Sequence, residues 1–161
     1  MSRSHERAFH LLAERIRLSA AARRSFYALL AVLAGSGVFW LLAHYEGELV
    51  PEWQNELRRL VLEAWAMKVH GAAAFVMLVA TGAMLTHHMR RGWTLARNRA
   101  SGASVIGSLA LLTLTGYALY YVVADATRPP VSVAHWFVGL ALAPLLVVHI
   151  VAGRRSRKRP L

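Results

Sequence analysis

The stretch VAHWFVGLALAPLLVVHIVA, residues 133–152, decides the fold. It carries no charged side chain over 20 residues, and its only ionisable groups are two histidines, His135 and His149. As an α-helix, 20 residues rise about 30 Å, which matches the hydrocarbon thickness of a bilayer. Three further runs of the same kind lie upstream, at 25–45, 65–89 and 102–124. A backbone surrounded by lipid must satisfy its own hydrogen bonds, so each run is expected to be a helix. The expected fold class is therefore all-α, an integral membrane four-helix bundle.

Composition agrees. The chain has 161 residues, a formal charge of +11, an apolar fraction of 57% and a mean hydropathy of +0.40. The charge sits in short blocks between long apolar runs, which is a membrane pattern and not that of a nucleic-acid binder. Cysteine is absent, which excludes disulfides, thiolate metal sites and the Cys-x-x-Cys-His attachment of c-type haem. Residues 1–24 are too polar, and the first apolar run too long, to suggest a cleavable leader.

Basic residues set the orientation. Residues 1–24 carry six Arg, 88–101 four, and the segment from Gly153 onward five Lys or Arg. The opposite side has only Arg58, Arg59, Lys68 and Arg128. The positive-inside rule then puts both termini in the cytoplasm (N-in/C-in). Three segments are expected: a cytoplasmic stretch 1–24, a transmembrane domain 25–152 and a basic tail 153–161. Within the first, residues 5–20 read either as a basic amphipathic helix on the inner leaflet or as a solvated terminus. Residues 51–64 read as helix, either extending the second span outward or lying on the outer surface. Ser101 is a candidate N-cap for the third span, and Pro129–Pro130 a candidate stop for it. Trp40, Trp65, Trp93 and Trp136 fall near the expected interfaces. Six of the eight acidic residues lie on the outer side and make it mildly acidic.

Six of the eight histidines lie at membrane ends: His44, His70 and His135 outside, His87, His88 and His149 inside. Imidazole within a bilayer is costly without a partner, so two layers of it point to a site. His135 and His149 are 14 residues apart, about 40° short of four turns and about 21 Å along the axis. Their rings therefore leave one side of the helix at two depths. The second span offers His70 outside and His87 or His88 inside. Phase favours His88, at five whole turns from His70, whereas depth favours His87. Two helices that present histidine at two matching depths suit two stacked bis-imidazole metal centres. Haem, with two axial ligands, fits better than zinc, which prefers four tetrahedral ones. Small residues on these helices, such as Gly71, Gly82, Gly102, Gly107, Gly116 and Gly139, either let a flat macrocycle approach the backbone or simply pack helices together. Lys68 and Arg128 outside, and Arg90, Arg91 and Arg154 inside, are available either to haem propionates or as interfacial anchors. Pro144 lies between the two histidines of the fourth span and frees the carbonyl of Leu140.

At this point the chain resembles a known group. AHWFVGLALAPLLVVHI (134–150), KVHGAAAFVMLVATGAML (68–85) and LLTLTGYALYY (111–121) resemble helices of membrane b-type cytochromes. They are most similar to the cytochrome b subunits of formate dehydrogenases and nickel–iron hydrogenases, and to bacterial cytochrome b561-like proteins. The resemblance spans about residues 65–152. It implies that His70 and His135 ligate an outer haem b and that His149 ligates an inner one. In the dehydrogenase subunits a first-helix histidine completes the inner haem. Here that helix begins RRSFYALL, so His87 or His88 must substitute. Met84 paired with His149, and a protein with the outer haem alone, stay open as alternatives.

The expected function is a haem b subunit in the bacterial inner membrane, carrying electrons between a quinone pool and a periplasmic redox partner. That partner would be a c-type cytochrome or a dehydrogenase subunit. The extramembrane parts are too short for a second catalytic domain, which favours an electron-transfer subunit over a stand-alone enzyme. The competing readings are a non-haem scaffold or assembly subunit and, ranked lowest, a transporter, which would want polar groups at the midplane.

Overall fold

The computed structural model describes residues 19–49, 53–94 and 98–156. Among the described residues there is no strand. Four long helices follow one another: α1 (Ala20–Leu49), α2 (Trp53–Met84), α4 (Arg99–Tyr121) and α5 (Arg128–Ser156). Between α2 and α4 come a π turn, Leu85–Met89, and the short helix α3 (Arg90–Thr94). A 3₁₀ turn, Asp125–Thr127, joins α4 to α5. All four long helices are long and apolar enough to cross a membrane, and the chain is a multi-pass membrane protein. Four spans bring the first and last described residues to one side, which the positive-inside rule expects to be cytoplasmic. The segment 5–18, read as an amphipathic helix or a solvated end, lies outside the described residues, as does the tail from 157.

The helix ends differ from expectation for local reasons. α1 starts earlier than its apolar run because Ser19 caps it: the Ser19 Oγ accepts from the Ala22 N–H at 3.1 Å. Residues 53–64 extend α2 outward as one continuous helix. α4 stops at Tyr121, short of the prolines. The N–H groups of Val122 and Val123 both turn back to the Ala118 carbonyl, at 2.9 and 2.8 Å. The Arg128 guanidinium then caps the Leu119 carbonyl at 2.7 Å. Pro129 and Pro130 sit in the first turn of α5, where a missing N–H costs nothing, so they start the fourth helix and do not end the third. Ser101 is not the cap of α4. Asn98 holds that place, in the left-handed region at φ 55°.

The helices form two hairpins. α1 packs along α2, and α4 along α5, with a smaller contact of α1 on α5. α2 and α5, which carry the histidines, do not pack backbone against backbone to any extent. The buried apolar side chains are few: Ala66, Ala73 and Met77 on α2, Val105 on α4 and Leu142 on α5. Lipid supplies no hydrophobic drive between helices, so small residues and hydrogen bonds must set such packing. Some hydroxyls inside the spans are satisfied locally, as Ser104 on the Ala100 carbonyl and Thr113 on the Leu109 carbonyl.

Candidate metal centres

Two histidine pairs bridge the gap between the hairpins. The His70 ring on α2 faces the His135 ring on α5 with centroids 6.3 Å apart and planes at 70°. Nearer the cytoplasmic end, His88 in the π turn faces His149 on α5 at 6.4 Å and 78°. Both pairs belong to the two levels set by the spacing in the fourth span. His88 is the inner ring opposite His149, and the His87 side chain lies outside the described residues. The π turn weakens the depth argument for His87, because a wider turn climbs less per residue than an α-helix.

The outer pair is held from behind. The His70 Nδ1 lies 3.0 Å from the Leu33 carbonyl and 3.1 Å from Ser36 Oγ, both on α1. A carbonyl can only accept, so Nδ1 carries the proton. That leaves the Nε2 lone pair free. His135 reaches the same state by another route. Its Nδ1 is 2.8 Å from Thr115 Oγ1, and that hydroxyl gives its own proton to the Leu111 carbonyl at 2.8 Å. Thr115 must therefore accept from Nδ1–H.

His149 is also held at Nδ1 in the inner pair, by Ser101 and Asn98. Asn98 Nδ2 donates to the His149 carbonyl at 2.9 Å, which turns Asn98 Oδ1 towards Ser101. Ser101 Oγ donates to that oxygen at 2.8 Å and lies 3.0 Å from His149 Nδ1, which the Asn98 amide nitrogen also approaches at 3.4 Å. The fourth ring differs. The His88 Nδ1 is buried without a hydrogen-bond partner.

A metal-bound histidine usually gives its second N–H to an oxygen, which fixes the tautomer and aims the ligating nitrogen. His70 and His135 meet that condition, and His149 Nδ1 lies within hydrogen-bond reach of Ser101 Oγ. Two imidazoles trans on one metal ion, with metal–nitrogen bonds of about 2.0 Å, hold their centroids roughly 6 Å apart. Both pairs have that separation. No group of three or more His, Cys, Asp or Glu side chains gathers among the described residues, so the donors come as pairs. Paired axial donors across an interhelical gap fit haem iron and do not supply a tetrahedral ion.

The glycines take a different part from the one expected. A Cβ at Gly116 would lie 3.3 Å from His135 Cε1, one at Gly37 3.2 Å from His70 Cε1, and one at Gly102 3.5 Å from His149 Cε1. Gly102 and Gly116 thus make room for imidazole, where the sequence suggested a macrocycle or another helix. Each of these glycines follows the hydroxyl residue that serves the same ring: Ser36–Gly37, Ser101–Gly102 and Thr115–Gly116. This supporting set, together with Leu33 and Asn98, was not identified from sequence. The threefold hydroxyl–glycine dipeptide was the available signal.

His44, Lys68 and Arg128 make other contacts. The His44 ring stacks on Trp40, at 4.7 Å and 12°, and its Nδ1 is 3.5 Å from Glu63, with no histidine opposite. Lys68 sits over the Trp65 ring at 4.8 Å. Arg128 is engaged with Leu119 and with Asp125 at 3.4 Å. Both have the contacts of interfacial anchors. No protein-family model, curated protein or solved structure matches this chain.

Proposed function

We propose that this chain is a haem b electron-transfer subunit of a bacterial inner-membrane oxidoreductase, akin to the cytochrome b subunits that its second and fourth helices resemble. The observation that carries the reading is the pair of facing imidazoles at 6.3 and 6.4 Å, three of whose four rings have Nδ1 tied back to oxygen. His70 and His135 hold the outer haem. His149 holds the inner one, with His88 opposite it.

Haem supplies the one-electron chemistry when bound. The chain aims the Nε2 lone pairs, keeps Nδ1 protonated and surrounds the centres with apolar helix. Two centres at depths about 21 Å apart give electrons a route between a quinone in the lipid phase and a redox partner outside. The mildly acidic outer side suits a basic partner such as a c-type cytochrome, or a dehydrogenase subunit.

The test is a reduced-minus-oxidised optical spectrum with pyridine haemochrome quantitation. Two low-spin haems b per chain are expected. Protein that stays haem-free under ample haem supply would overturn the reading and favour a non-haem scaffold. His135→Ala should remove the outer centre, while His44→Ala should leave both.

A further inference from the structure

We propose that His88 is an exchangeable ligand, so that the inner centre has one fixed axial position and one that opens to a small neutral ligand such as carbon monoxide. This rests on the haem reading above.

Two independent observations carry it. The first is the missing brace. The His70, His135 and His149 rings are each pinned by an oxygen on Nδ1 and by a glycine against Cε1. The His88 Nδ1 is buried with no partner, and no hydroxyl–glycine pair faces its ring. An unbraced imidazole keeps both tautomers and its ring rotation, and gives up that freedom each time it binds a metal. The second is the backbone beneath it. His88 lies within the π turn Leu85–Met89, whereas His70, His135 and His149 stand on α-helix. Such turns are energetically poorer than α-helix and recur at functional sites. The fourth hydroxyl–glycine pair of the spans, Thr81–Gly82, does not compensate: Thr81 Oγ1 is itself unpartnered.

The test compares two single variants of the haem-loaded protein. His149→Ala should drop haem from two per chain to one. His88→Ala should keep two, one of them five-coordinate. Carbon monoxide should bind one of the two haems in reduced wild-type protein and bind His88→Ala about tenfold more tightly, as when the open form is about a tenth of the wild-type population. Thr115→Val removes the brace on His135 and should make the outer centre carbon monoxide-reactive, with Thr115→Ser restoring wild-type behaviour. If Thr115→Val does not accumulate, Thr115→Ala makes the same test on His135. Equal haem loss from both histidine variants, or an unchanged carbon monoxide response in His88→Ala, overturns the proposal and leaves the haem reading intact. Haem-free wild-type protein overturns that reading instead.

Discussion

At the scale of single residues, the proton positions follow from hydrogen-bond direction. A carbonyl behind His70 and the committed hydroxyl of Thr115 behind His135 each place the imidazole proton on Nδ1. Ring orientation follows too, and it has a spectroscopic consequence. Were each pair to hold haem iron as proposed, imidazole planes at 70° and 78° would leave the two iron dπ orbitals nearly degenerate. The oxidised protein should therefore give the single, highly anisotropic low-field line of crossed ligands by electron paramagnetic resonance. A rhombic three-line spectrum would contradict the geometry. The glycine contacts give a second expectation. Gly116→Val should displace His135 and halve haem content, because a Cβ there already stands 3.3 Å from the ring and two more methyl carbons have nowhere to go. Ser104→Ala, which removes only a bond to its own helix, should leave both centres as they were. The histidines were legible in sequence because ionisable groups stand out in apolar runs. Their braces were not, since a serine in a span normally bonds its own helix, as Ser104 does, and nothing local separates Ser101 from it.

At the scale of elements, the junction before α4 shows what pattern reading misses. Ser101 had the chemistry of a cap, but the helix begins two residues earlier, after Asn98 in the left-handed conformation. Asn98 tolerates that conformation and uses its amide to hold the end of α5 at His149. Asn98→Ala should cost about 2 kcal/mol, combining backbone strain with a lost hydrogen bond, and should disturb the inner centre alone. Asn98→Gly should recover only the backbone share. Thermal melting in detergent, followed in the Soret band and by circular dichroism, separates the two. The spans themselves were readable because length and hydropathy are additive along the chain. Their ends were not, because Val122, Val123 and Arg128 close α4 through contacts that depend on three-dimensional return of the chain. The π turn likewise leaves no mark in residue periodicity over five positions.

At the scale of the whole molecule, the chain has four spans, and the positive-inside rule expects the side with fifteen of the nineteen Lys and Arg to be cytoplasmic. The absence of cysteine makes this simple to check. A cysteine placed at Ala126, in the outer turn, should react in intact cells with a membrane-impermeant maleimide, while one at Gly153 should react only after lysis. The reverse pattern would mean an inverted chain.

The sparse packing between α2 and α5 bears on how such a molecule is made in a cell. Two helical hairpins that meet chiefly through imidazoles lack the tight seam that would make them one body on their own. A haem held by both pairs, as proposed, would act as a keystone, and its delivery would be the last step of maturation. Chains awaiting it present separable halves to membrane quality-control proteases. The pulse-chase half-life of the full-length chain should therefore lengthen with porphyrin supply and stay short in a His70→Ala, His149→Ala double variant whatever the supply.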